Sequence, residues 1–188
     1  MKQVMKSKEY VIHLGAVTSN VEFMRNPLDC YSVNTNGFLN VIDAAAKGGC
    51  KRFVYASSAA VYLDRFSEDT VMDVRKQGNH YAKTKIMNEM VAKSYEDICE
   101  MSTIGLRYFN VYGHGENEKG DYASIVTLFL NFKKSREPLV VYGDGKQARD
   151  LIHVRDAARI TLDLLEKGSH EIYNVGTGVA TAYATIAE

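Results

Sequence analysis

The chain has 188 residues, 23 basic and 23 acidic side chains, three cysteines and 46% hydrophobic residues. That length fits one domain, or a domain and part of another, and a net charge of zero lacks the electrostatic footprint of a nucleic-acid binder. Its apolar runs fall far short of the roughly 18 residues of a membrane span, and the basic opening MKQVMKSKEY leads into too short an apolar stretch for a secretory signal.

Short β-rich runs alternate with helical patterns, which predicts an α/β chain with a mainly parallel sheet and helices on its faces. YVIHL (10–14) reads as a buried parallel strand ending at Gly15. Residues 26–49 read as a helix, with Asn26 as N-cap, Pro27 at the first helical position and Gly48-Gly49 as the stop. KRFVYAS (51–57) is the next strand, with SSAAVY continuing from its carboxyl end. Residues 80–98 form a second long helix carrying Tyr81, Lys85, Asn88 and Ala92 on one face. STIGLRY (102–108) is a third strand and DYASIVTLFLNFKK (121–134) a helix. PLVVY and RDLIHV read as short strands, RDAARITLDLLEKG as a helix ended by Gly168, and EIYNVG as a last strand. The cysteines, Cys30, Cys50 and Cys99, form no C-x-x-C and are odd in number, which predicts buried, reduced thiols in a cytoplasmic setting. No H-E-x-x-H or paired histidine spacing is present, so no metal site is expected, and no G-x-S-x-G points to a hydrolase.

In open sheets of this kind ligands sit beyond the carboxyl ends of the strands. The rule selects Gly15–Thr18, Ser57–Ser58 and Phe109–Gly113. It also separates the two Y-x-x-x-K pairs. Tyr142–Lys146 lies on a Gly-Asp-Gly turn with no helix to hold it, whereas Tyr81–Lys85 sits on a helix whose neighbouring unit brings Ser58 to the same rim. A phenol near pKa 10 is a poor base at neutral pH. An ammonium one turn away favours the phenolate and offers donors to a bound polyol, and a serine can share the proton. Such a trio suits taking a proton from an alcohol as hydride leaves the same carbon. The spacing is equally that of a half-buried tyrosine beside a snorkelling lysine.

Further residues favour the first reading. VIHLGA, VNTNG, KRFVYASSAAVY, YAKTK, LRYFNVYG, YGDGKQARDLIHVRDAA and YNVGTG occur in one order over nearly the whole chain. Together they resemble the extended short-chain dehydrogenase/reductase family, in its nucleotide-sugar epimerase and dehydratase branch. The resemblance implies a doubly wound, Rossmann-like NAD-binding sheet in residues 1–110. Residues 111–188 would then be part of a smaller region for a nucleoside-diphosphate sugar, with a strand returning to the core sheet.

By the same resemblance Ser58, Tyr81 and Lys85 are the catalytic trio. Leu14, Gly15 and Ala16 form the loop along the dinucleotide, Asn34 stands opposite it, and Tyr108 follows a strand end that faces the nicotinamide. Asn110 grips the substrate and Arg149 its diphosphate, where a fork of donors suits phosphate oxygens. Lys119 and Ser124 join the substrate set. Asn34 and Asn110 serve equally well as cap or turn residues, Arg149 as a surface ion pair and Lys119 as a solvated lysine. Family dimers pack helices equivalent to 27–47 and 80–98 into a four-helix bundle.

Ala59-Ala60 stand where dehydratases of the family carry Asp-Glu, which disfavours loss of water and leaves UDP-glucose/UDP-galactose 4-epimerisation as the first expectation. YFNVYGHGENEKGDYAS also resembles the sugar-nucleotide heptose 6-epimerases, in which a lysine matching Lys119 is a second acid/base. The family's opening strand, Gly-rich loop and helix do not precede Tyr10. GDGKQA (143–148) precedes a strand rather than a helix, and GTGVAT (176–181) lacks the third small residue in register, so neither replaces that loop. This predicts weak dinucleotide binding by the polypeptide alone, or an inactive fragment serving in binding and assembly. It also leaves NAD versus NADP unread.

Overall fold

A computed structural model describes residues 5–62, 76–136, 138–141, 143–169 and 171–188. It is an α/β chain of two compact units: residues 1–107 with 161–174, and residues 108–160 with 175–188. Among the described residues no helix is long and apolar enough to cross a membrane.

In the first unit, strand β1 (Tyr10–His13) runs into an exposed turn and helix α1 (Asn20–Arg25), which Ser19 caps by accepting from Glu22 N at 3.1 Å. Pro27 starts α2 (Pro27–Tyr31), a wide π-helical turn (Ser32–Asn36) follows, and α3 (Gly37–Lys47) ends at Gly48. The 26–49 segment is therefore helical from the expected proline to the expected glycine, with a swollen middle turn that no propensity signals. Asn26 makes no side-chain cap there, because its amide turns back to Glu22.

Strand β2 (Arg52–Ser58) pairs in parallel with β1, Tyr10 opposite Arg52 through His13 opposite Tyr55. A 3₁₀ turn (Ala59–Val61) follows. Helix α4 (His80–Ile98) and strand β3 (Ser102–Tyr108) come next. With β6 (Ile172–Val175) the sheet order is β1-β2-β3-β6. The core of this unit gathers Phe38 and Ile42 of α3, Phe53 and Tyr55 of β2, Ala92 of α4, and Met101. Gly105 lets β3 pass close to Tyr55 and Ile172, where a Cβ would come within 2.6 Å of both side chains.

Among the described residues β1 lies at the end of this sheet, and it is not buried as its apolar run predicted: Tyr10 and Leu14 are each more than half exposed. A four-residue apolar run reads alike at the centre and the rim of a sheet, and only the pairing order separates them.

The second unit holds β4 (Asn110–Tyr112), a 3₁₀ stretch (Asn117–Tyr122), α5 (Ile125–Ser135), β5 (Ala148–His153), β7 (Ala180–Ala182) and α7 (Tyr183–Ala187). Here β4 pairs in parallel and β7 antiparallel with β5, in the order β4-β5-β7. Helix α6 (Val154–Lys167) follows β5 directly. Residues 138–141, expected as a strand, have no regular structure, and Tyr142 lies outside the described residues. The apolar content of PLVV favours extension, but no neighbouring strand in this sheet pairs with it.

Candidate functional site

Two segments deliver the serine and the tyrosine. Ser58 ends β2 in extended backbone, and its Oγ accepts from Ala60 N at 3.1 Å, which starts the 3₁₀ turn. Asn79 caps α4 by accepting from Ala82 N at 3.2 Å, which fixes Tyr81 in the first turn. Buried Gln77 ties the two ends: its amide donates to Ala60 O at 3.1 Å and its oxygen accepts from Asn79 N at 3.0 Å.

The Ser58 hydroxyl favours the Tyr81 phenolate. Burial raises the tyrosine pKa above its ordinary value, and Ser58 only partly counters this. Phe23 of α1 flanks the ring, with centroids 6.3 Å apart.

Lys85, one turn on, is 3% exposed. Its ammonium lies 5.6 Å from the centre of the Tyr81 ring, and one of its three donors meets Ala56 O at 2.8 Å. The charge therefore bears on the ring, not chiefly on the phenol oxygen, so in the folded chain burial outweighs the expected lysine effect on Tyr81. Desolvation brings Lys85 down to about 8, opposed by the charge of Glu89. His13, at the end of β1, is lowered by burial and then by Lys85, so it is neutral at physiological pH.

A lysine whose pKa is depressed in the folded state holds fewer protons than the unfolded chain between about 8 and its ordinary 10.5. Stability gained from deprotonation therefore rises with pH across that window, and the cost of the buried ammonium is felt in full below it. Against Lys85→Met, whose side chain carries no charge, the wild-type chain is expected to gain roughly 3 kcal/mol between pH 8 and 10.5. Urea unfolding of both proteins over that range checks this, and a flat difference would mean Lys85 titrates as in water.

The loop after β1 holds Leu14 and Gly15 exposed and Ala16 partly exposed. A Cβ on Gly15 would meet only His13, at 3.9 Å, so the backbone there is open to a flat group. Asn34 does not face that opening. It is 2% exposed on the π turn, where its oxygen accepts from Val17 N at 2.8 Å and its amide donates to Val17 O at 2.9 Å and Thr84 Oγ at 3.1 Å. Asn34 thus acts on the loop by clamping its backbone to α4. These residues fit the ribose–nicotinamide half of a dinucleotide, since an open backbone and a lysine with two further donors suit a diol-bearing, flat ligand.

In the second unit a cavity of about 290 Å³ is lined by Asn110, Glu116, Lys119, Ser124, Arg149 and Tyr183, among others. Four of these are expected substrate residues. Arg149 lies with its guanidinium 5.5 Å over the Tyr183 ring and donates to Ala148 O at 2.8 Å. Asn110 donates to Asp150 O at 3.1 Å. Tyr108 closes β3, partly exposed.

Sequence reasoning passed over Glu116. It accepts from Ser124 N at 3.1 Å, Ser124 Oγ at 2.6 Å and Thr127 Oγ at 2.7 Å, and pairs with Lys119 at 3.3 Å. Burial alone would raise its pKa, but these donors and the lysine outweigh it and hold the carboxyl below the ordinary value. Ser124 also caps α5 and is held through this carboxylate. Its place in GHGENEKG, three residues before Lys119, was the available signal.

Residues 1–176 match the NAD dependent epimerase/dehydratase family. The chain belongs to that family. It is 32% identical over 187 residues to a UDP-N-acetyl-alpha-D-glucosaminuronate decarboxylase of Bacillus cytotoxicus, covering 94% of this chain and 56% of that protein. To a putative UDP-glucose 4-epimerase of Methanocaldococcus jannaschii it is 31% identical over 185 residues, with 94% and 58% covered. An ADP-L-glycero-D-manno-heptose-6-epimerase of Alkalilimnicola ehrlichii is 33% identical over 193 aligned positions, with 95% and 57% covered. Among solved structures, the UDP-N-acetylglucosamine 4-epimerase of Methanobrevibacter ruminantium, in complex with UDP-N-acetylmuramic acid, superposes with a TM-score of 0.91 at 28% identity. It spans 97% of this chain and 59% of that one. The chain therefore shares the Rossmann-type epimerase fold, and it spans little more than half the length of the curated relatives it matches.

Proposed function

We propose that this chain carries the proton-transfer machinery of an NAD-dependent nucleotide-sugar epimerase, most simply a UDP-glucose/UDP-galactose 4-epimerase. The Ser58 hydroxyl acting on the Tyr81 phenol, with Lys85 under the ring, carries this reading. Tyr81 takes the proton of the sugar hydroxyl while Ser58 holds that oxygen, and the resulting keto-sugar receives the proton back after it has turned. Bound NAD would take up the hydride that leaves the same carbon and return it to the other face of the turned keto-sugar, and its positive charge would favour the phenolate. Lys85, with Leu14, Gly15, Ala16 and Tyr81, would hold it.

In the second unit Arg149 and Asn110 take the diphosphate and its sugar, beside Ser124 and Lys119. Arg149→Ala is expected to raise KM for the nucleotide sugar roughly tenfold to hundredfold with kcat nearly unchanged, since hydrogen bonds to charged groups are worth about 1.5–3 kcal/mol. Steady-state kinetics with UDP-glucose and UDP-galactose test the reading, and no interconversion of the pair in the presence of NAD would end it.

One arrangement favours a second reading, heptose 6-epimerisation. Lys119 is held 3.3 Å from Glu116 at the cavity that also holds Ser124, and the heptose epimerase relative is as similar as any of those above. Turnover of ADP-heptose that collapses in Lys119→Ala, with UDP-glucose untouched, would select it. An assembly role without catalysis predicts no heat with NAD in calorimetry. The same reading includes a cytoplasmic homodimer, supported by three free cysteines and by outward apolar side chains on the 27–47 and 80–98 segments, notably Leu28, Val33, Leu39 and Met90.

A further inference from the structure

Beneath the Ser58–Tyr81–Lys85 trio lies a set of buried polar groups for which that chemistry has no use. Glu89 sits one helical turn beyond Lys85 on α4. Its Oε1 accepts from Ser57, the neighbour of Ser58 on β2, and from Arg107 Nε at 2.9 Å; its Oε2 accepts from Arg107 Nη2 at 2.8 Å. Arg107 Nη1 then donates to the Tyr62 hydroxyl at 3.0 Å, and that hydroxyl donates to Asn174 at 2.7 Å. The guanidinium also stacks 4.9 Å from the centre of the Tyr62 ring. Arg107 is 3% and Glu89 11% exposed at the side chain.

A two-pronged grip of this kind fixes both the position and the plane of a carboxylate. Here the grip comes from β3, while the carboxylate itself reaches β2 through Ser57. We propose that Glu89 is a positioning residue of the site: locked by Arg107, it anchors the end of β2 behind Ser58 and places a fixed negative charge one turn from Lys85. The proposal rests on the catalytic reading of Ser58, Tyr81 and Lys85 given above.

The groups around the pair are consistent with that role. Lys85 faces Glu89 and the Tyr81 ring on its own helix, His13 from β1 and the Ala56 carbonyl from β2. Glu89 faces Arg107 from β3 and Ser57 and Tyr55 from β2. His13 is neutral in this setting, so Glu89 opposes the desolvation that draws the ammonium down.

The test is the titration of the Lys85 side chain, followed by NMR of isotopically labelled lysine in the 188-residue chain, which needs no turnover. In the wild type the midpoint is expected at about 8. In Glu89→Gln it is expected to fall by about one pH unit, the low end of what an adjacent opposite charge contributes. Should that variant unfold, Glu89→Gln with Arg107→Met removes both charges together, a change buried pairs tolerate, and the same downward shift is expected. An unmoved midpoint in a folded variant overturns the role of Glu89 and leaves the Tyr81 chemistry standing. A Tyr81→Phe enzyme with normal turnover would sink the catalytic reading and leave the titration result intact.

Discussion

Tyr81→Phe is expected to lower kcat by about a thousandfold while changing KM by no more than a few-fold, within the range assigned to a positioned general acid/base. The substitution removes one oxygen and little else. The ring keeps its place against Phe23, with centroids 6.3 Å apart, and over Lys85 at 5.6 Å. Ser58 loses its contact with the phenol oxygen, at most a hydrogen bond's worth of about 0.5–1.5 kcal/mol, too little to unfold a typical domain. A large loss of turnover in a folded protein therefore reports on the phenol itself. Because burial raises the Tyr81 pKa, the wild-type rate is also expected to climb with pH beyond neutrality as the base form accumulates. The Phe variant should lack that climb. Retention of near-wild-type turnover, measured by conversion of UDP-glucose in the presence of NAD, would remove Tyr81 from the mechanism.

What the sequence shows of this architecture follows from where each signal is stored. Helix α4 is legible because cap, period and length agree: Asn79 caps it and Lys85, Asn88 and Ala92 are buried along one face. The convergence of Ser58 and Tyr81 is legible from the rule that strand ends make sites, together with the resemblance. Strand β1 is legible as a strand but not as an exposed one, since hydrophobicity records apolar character and not the number of neighbours. Strands β4 and β7 are three residues each, too short for a period, and their pairing with β5 is a tertiary decision. Asn34 is legible as a cap or turn asparagine but not as a clamp, because its partners Val17 and Thr84 lie 17 and 50 positions away. The Glu89–Arg107 pair, 18 positions apart, is silent for the same reason. Polar groups that recognise each other across a sheet leave no periodic trace.

That pair carries the other large effect. Arg107→Met is expected to cost about 3–5 kcal/mol, the usual price of breaking a buried ion pair from one side. Glu89 would keep Ser57 as a donor but lose both prongs of the guanidinium, and Tyr62 would lose the bond from Arg107 Nη1. In the wild type, burial works against the Arg107 charge, but the Glu89 bonds and charge and the Tyr62 hydroxyl outweigh it, so the arginine pKa rises. The deficit of Arg107→Met therefore reflects a carboxylate left with Ser57 as a donor and no guanidinium beside it in a largely buried setting. Adding Glu89→Gln should recover most of it at pH 7, because the double change leaves no unpaired charge. Equilibrium urea unfolding of the wild type, Arg107→Met and the double variant at pH 7 reads this. A single-variant loss below about 1 kcal/mol, the scale of an exposed pair, would show that the ion pair is not what fastens β3 to α4.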